Sequence, residues 1–183
     1  MEKLFPIPSF LKMWYGWEGV LIEGDPKNFR LMLQEKQKSL VSPSMFKHFC
    51  FIQLLVMFEQ RFIIGKISNE SIGSANHRRG LVEVQCLPLY SILLALNRTT
   101  IDYFSLDVEG HEVEVLETIP WDKVNITTLS VEYIHGKGGK EGVKSFMESK
   151  GYKVYAEVTF KGSLANDFIF YHPQLLGQSE IKS

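Results

Sequence analysis

The run Ile101-Asp-Tyr-Phe-Ser-Leu-Asp-Val108 constrains this chain more than any other segment. It is mostly apolar on both faces, which predicts a central parallel strand covered on both sides. Glu109-Gly110 then turns the chain. Val113, Leu116 and Ile119 mark a helix face that Pro120 stops. Glu112 and Glu114, in the first turns of that helix, suit the positive end of its dipole.

Around this segment the order of elements is readable. Val20-Leu-Ile-Glu23 is a short apolar run ending in an acid. Asp25-Pro26 supplies an N-cap followed by proline at the first helical position. Phe29, Met32 and Leu33 follow at helical spacing, predicting an amphipathic helix over 26–38. Phe62-Ile-Ile64 and Leu81-Val-Glu-Val84 read as strands, and Pro88 precedes an apolar helix from Leu89 to Leu96. Residues 69–80 are polar and loop-like. Leu129 to Tyr133 is a further strand; Val143, Phe146 and Met147 mark the next helix, which Gly151 closes. Tyr152–Thr159 and Asp167–Tyr171 close the chain as two strands pairing antiparallel. Strands alternating with helices imply an α/β fold, with a mostly parallel sheet, right-handed crossovers and an antiparallel C-terminal hairpin.

Composition narrows the function. The chain has 183 residues, room for one domain with a proper core. Its formal net charge of -1 offers no electrostatic footprint for nucleic acid, and His77-Arg-Arg79, flanked by polar and glycine residues, reads as a solvated loop. Cys50 and Cys86 stand alone, with no Cys/His spacing for a structural zinc site. The longest apolar run, Phe49 to Phe58, is too short to span a bilayer and predicts no transmembrane helix. Sequons at Asn69, Asn97 and Asn125 are compatible with a glycoprotein of the secretory lumen or with chance. Pro6, Pro8 and Lys12 interrupt the N-terminal apolar stretch, which makes a poor signal peptide.

In open α/β sheets, ligands bind at the carboxyl ends of the strands. Glu23, the pair Asp107/Glu109, and Glu132 all end predicted strands. A carboxylate in that position packs poorly and needs a partner or water, so these acids predict a shared site on one rim. Asp107 and Glu109 are two apart and project to the same side of an extended chain. Such a pair can chelate a hard cation, hold a substrate amine, or share a proton as acid and base. The spacing does not choose among these, and no metal is assigned. His111 and His135 lie near the same rim and are read as surface or packed residues, outside the catalytic set.

Glu23 has a more specific reading. An acid ending the second strand of a nucleotide-binding sheet accepts hydrogen bonds from ribose hydroxyls. Each charge-assisted bond contributes ~1.5–3 kcal/mol, whereas micromolar binding needs ~8 kcal/mol. A glycine-rich loop from the first strand must therefore add to it. That loop is expected about 20 residues earlier, where the chain reads Met-Glu-Lys-Leu-Phe-Pro-Ile-Pro-Ser-Phe, without glycine. The first strand and its loop are thus expected to be missing.

Trp17-Glu-Gly-Val-Leu-Ile-Glu23 and Ile101-Asp-Tyr-Phe-Ser-Leu-Asp-Val-Glu-Gly-His-Glu112 together resemble the FkbM-type methyltransferases. Val131-Glu132 and Asn166-Asp-Phe-Ile-Phe170 are similar to later motifs of that family. The resemblance implies a Rossmann-like domain over residues 14–173, with 1–13 and 174–183 as tails. It also implies S-adenosylmethionine as cofactor and methyl transfer, often to the hydroxyl of a small molecule or glycan. By it, Glu23 and Asp107 bind the cofactor, and Asp107 and Glu109 line the pocket where donor and acceptor meet, with Asp107 as the base. The glycine-rich first motif of the family has no match here, which leaves catalysis open. The segment Asp102-Tyr-Phe-Ser-Leu-Asp-Val-Glu-Gly110 is nearest to the Star-like members of the family. They imply the alternative of a non-catalytic protein that moves membrane cargo between endoplasmic reticulum and Golgi or through endosomes.

Overall fold

The computed structural model describes residues 16–34, 40–42, 45–46, 54–60, 66–67, 80–136, 138–160 and 166–179. They fall into two compact units, one built mainly from the chain up to Leu87 and one from Pro88 onward.

In the first unit, β1 (Val20–Ile22) pairs parallel with β2 (Leu40–Ser42), and α1 (Pro26–Gln34) lies between them in sequence. The predicted cap is present: Asp25 Oδ1 accepts the backbone N–H of Lys27 at 2.7 Å, and the Asp25 carbonyl accepts that of Phe29. These bonds satisfy donors that a helix start leaves open. The predicted continuation of this helix to residue 38 and the strand at Phe62–Ile64 lie outside the described residues.

A second sheet has the order β3 (Met45–Phe46), β6 (Leu81–Leu87), β4 (Leu54–Glu59), β5 (Lys66–Ile67). β4 runs antiparallel to both β5 and β6. Phe58, Val84 and Cys86 are buried together there, with Val82 packed against them.

The second unit carries α2 (Leu89–Ala95), β7 (Thr100–Leu106), α3 (Glu112–Glu117), β8 (Asn125–Glu132), α4 (Gly139–Ser149), β9 (Lys153–Thr159), β10 (Asn166–Tyr171) and α5 (Pro173–Ser179). Its sheet has the order β7-β8-β10-β9. β7 and β8 are parallel, while β10 is antiparallel to both β8 and β9. The expected C-terminal hairpin is therefore present.

The fold is α/β with mixed sheets. Parallel pairing is found for β1–β2 and β7–β8, and antiparallel pairing for β4–β5, β4–β6, β8–β10 and β9–β10.

The strand expected at the centre of its sheet is not the central one. Among the described residues β7 forms the edge, and Asp102 and Ser105 face solvent. β8 takes the inner place and is buried almost continuously from Ile126 to Glu132. Its Ile126, Leu129 and Val131 are sealed off completely, together with Leu116 of α3, Val143 and Met147 of α4, and Phe170 of β10.

α4 ends as its glycine predicts. Gly151 has φ +87°; its N–H bonds the Glu148 carbonyl, and the Tyr152 N–H bonds that of Met147. This pair of bonds reverses the chain and returns it to β9. No helix among the described residues is long and apolar enough to cross a membrane.

Candidate functional site

The parallel register of β7 and β8 runs to Leu106 opposite Val131. One residue further, Asp107 follows β7 and Glu132 ends β8 at the same edge. β10 starts at that edge with Asp167 opposite Glu132, which sets acids from three neighbouring strands side by side.

The turn after β7 completes the cluster. Glu109 has φ +53° and Gly110 φ +104°. A non-glycine residue in the left-handed region carries about 1–2 kcal/mol of strain, which the surroundings must hold in place. One holding group is Glu112, wholly buried at the start of α3. Its Oε1 accepts the backbone N–H groups of Val108 at 3.0 Å and Gly110 at 3.1 Å. Its other oxygen, Oε2, is buried without a hydrogen-bond partner among the described residues.

His135, three residues beyond β8, faces the same cluster. Its Nδ1 lies 3.2 Å from Glu132 Oε1 and 3.3 Å from Glu109 Oε2. Two overlapping sets of ligand-type atoms result, each within 4.8 Å of one another: Glu109, Glu132 and His135; and Asp107, Glu112 and Glu132. Glu132 belongs to both.

Burial, reinforced by neighbouring like charges, sets the protonation of this rim. Burial, followed by the negative charge of Asp107, holds the Glu132 carboxyl up to about 7; the bond and charge of His135 oppose this, and Glu112 adds to it. The Asp107 residue is exposed, yet the surrounding protein desolvates its carboxyl enough to raise it, against the Glu109 backbone N–H and His135. Asp167 is raised by burial and by Asp107, and is held down by a hydrogen bond with the Ser130 side chain. Several carboxylates sharing one edge favour retained protons, or cations, among them.

Asp107 and Glu109, read in sequence as a pair on one side of an extended chain, are separated by the turn after β7. Each belongs to a different set, joined through Glu132. Glu23 lies in the first unit, just past β1, where its Oε1 accepts the Asp25 backbone N–H at 2.7 Å. The residues where the glycine-rich loop is expected lie outside the described part.

Sequence reasoning missed Glu112 as a site residue. In sequence a first-turn glutamate is accounted for by the helix dipole alone. Its position five residues beyond Asp107, across a turn containing glycine, was the available signal. His135 reads in sequence as a lone surface or packed histidine. Its spacing of three from Glu132 was the corresponding hint.

This unit defines an α/β domain whose parallel strands end in a carboxylate-lined rim, the place where such sheets bind their ligands. The chain belongs to the FkbM methyltransferase family, whose domain, described as Methyltransferase FkbM domain, matches residues 5–154. No curated protein and no solved structure matches it. Membership points to methyl transfer and, in general terms, to a cofactor of the S-adenosylmethionine type.

Proposed function

We propose that this protein transfers a methyl group from S-adenosylmethionine to oxygen, the acceptor being a hydroxyl of a small molecule or glycan. The observation that carries this reading is the carboxylate rim at the ends of β7 and β8, in a chain of a methyltransferase family. We take residues 14–173 as one Rossmann-like domain for this chemistry.

The chemistry of the donor set fits the cofactor. S-adenosylmethionine carries a sulfonium and an ammonium group, both cationic, and two ribose hydroxyls. Carboxylates complement all of these. When bound, it supplies an electrophilic methyl group.

In this reading Glu23 accepts hydrogen bonds from the ribose. Asp107 would lie beside the cofactor and the acceptor and would take the acceptor's hydroxyl proton, the methyl group passing from sulfur to oxygen and the demethylated cofactor leaving as a neutral thioether. Glu109 orients the acceptor, and its partner His135 holds Glu109 in place. Proximity supplies much of the rate in such transfers, and a positioned base adds ~10²–10⁴-fold.

Calorimetry with S-adenosylmethionine tests the reading. Saturable heat is expected, weakened ten- to a hundredfold in Glu23→Gln, the equivalent of one charge-assisted bond of about 1.5–3 kcal/mol. A folded chain that gives no heat at millimolar ligand would overturn the enzymatic reading and leave the non-catalytic, Star-like role in cargo trafficking.

A further inference from the structure

We propose that Asp107, Glu112 and Glu132 form a binding site for a hard divalent cation of the Mg²⁺, Mn²⁺ or Ca²⁺ class. A carboxylate oxygen from each lies within 4.8 Å of the others. Cations of this class bond oxygen at ~2.0–2.6 Å. Oxygens that share one such ion are therefore separated by about 3–5 Å, which the observed spacing meets.

An independent observation comes from Glu112. Its residue is fully buried, and among the described residues its Oε2 has no hydrogen-bond partner. A buried, unpartnered carboxylate oxygen is costly unless a positive charge or a donor meets it. Oε1 is already committed to the N–H groups of Val108 and Gly110, so the side chain cannot turn away without giving up both bonds. The chain also keeps the space beside Oε2 clear. At Gly136 a Cβ would come within 3.1 Å of that atom.

The donor set selects the ion. Three carboxylates and no sulfur or imidazole suit a hard cation rather than zinc. The competing set of Glu109, Glu132 and His135 adds an imidazole, a ligand that suits softer ions than this class. Three carboxylates also leave further positions of a six- to eight-coordinate ion for water or for an acceptor hydroxyl. Only that last link, to the acceptor, rests on the methyltransferase reading.

The test is a titration of the full chain with Mn²⁺, followed by electron paramagnetic resonance and run without S-adenosylmethionine. One Mn²⁺ per chain is expected, displaced by Mg²⁺ or Ca²⁺. Asp107→Asn and Glu112→Gln should each weaken it about tenfold or more, while Glu141→Gln, on an exposed position of α4, should leave it unchanged. Where Glu112→Gln does not fold, the exposed Asp107 decides alone. A folded chain that binds no Mn²⁺ at millimolar concentration, or binds it equally in both variants, overturns the proposal. Cofactor calorimetry is read separately. Mn²⁺ bound without cofactor heat removes the enzyme and keeps the cation; heat without Mn²⁺ does the reverse.

Discussion

At the scale of single residues, Gly110 is the tightest point of the rim. It has φ +104°, and a Cβ there would stand 2.8 Å from the His135 carbonyl oxygen. Gly110→Ala combines a left-handed backbone with a clash against main chain, so no side-chain rotation relieves it. A loss of about 1–3 kcal/mol is expected, read by urea denaturation. A change below ~0.5 kcal/mol would show that the two loops separate freely. Tyr152 poses a different case. Its hydroxyl donates to the Ile126 carbonyl at 2.6 Å in a buried position, and burial pushes its ionisation well above the usual tyrosine range. Tyr152→Phe keeps the ring packing but deprives that carbonyl of a donor. About 1–2 kcal/mol should be lost, with the same fold by circular dichroism; an unchanged denaturation midpoint would assign the carbonyl another donor. Glu112 shows why such detail escapes a linear reading. Helix statistics placed it in a favourable first turn, but its burial and its two backbone donors depend on the turn folding back over it.

At the scale of elements, β9 is tied to the unit by charge as well as by its ladder. Glu157 receives Lys140 of α4 at 2.7 Å on both oxygens and the Tyr133 hydroxyl at 2.6 Å. Lys140, then Tyr133, hold the Glu157 carboxyl below the usual glutamate range. Donating to Glu157 in turn pushes the Tyr133 hydroxyl up to about 12. Because the folded pKa is depressed, the contribution of Glu157 is present above its unfolded value. It is lost as pH falls through the folded one, below the ordinary glutamate range. Lys140→Met should raise the Glu157 carboxyl, followed by carbon-detected NMR titration. A curve that does not move would assign the shift to Tyr133 instead. The sequence made most of these elements legible, because caps and stops are local: Asp25 before Pro26, Pro120 after α3, Gly151 after α4. Neighbourhood in the sheet is not local. Ile101–Val108 looked covered on both faces because of its apolar content. The more deeply buried β8 alternates threonine and serine with its aliphatics, and so looked less central.

At the scale of the whole molecule, the family was legible from a few motifs, since Asp107-Val-Glu-Gly110 after an apolar strand is a demanding pattern. The rim was legible in part. Strand ends marked Asp107, Glu109 and Glu132, whereas the meeting of Glu132 with Glu112 depends on two separate segments converging. The proposed cofactor supplies a test at the same scale, because a ligand that binds only the folded chain stabilises all of it. At a hundredfold excess over its dissociation constant, S-adenosylmethionine should add ~2.7 kcal/mol. For a chain of this size each kcal/mol moves the midpoint by ~2–4 °C, so a rise of about 5–10 °C is expected in a thermal melt. Glu23→Gln should need correspondingly more ligand for the same rise, since the increment depends only on the ratio of ligand to dissociation constant. An equal rise with adenosine would place the recognition in the nucleoside. No rise with either, in a chain that melts cooperatively, would mean that the folded state holds no such ligand, and the carboxylate rim would then have to be explained by the cation alone.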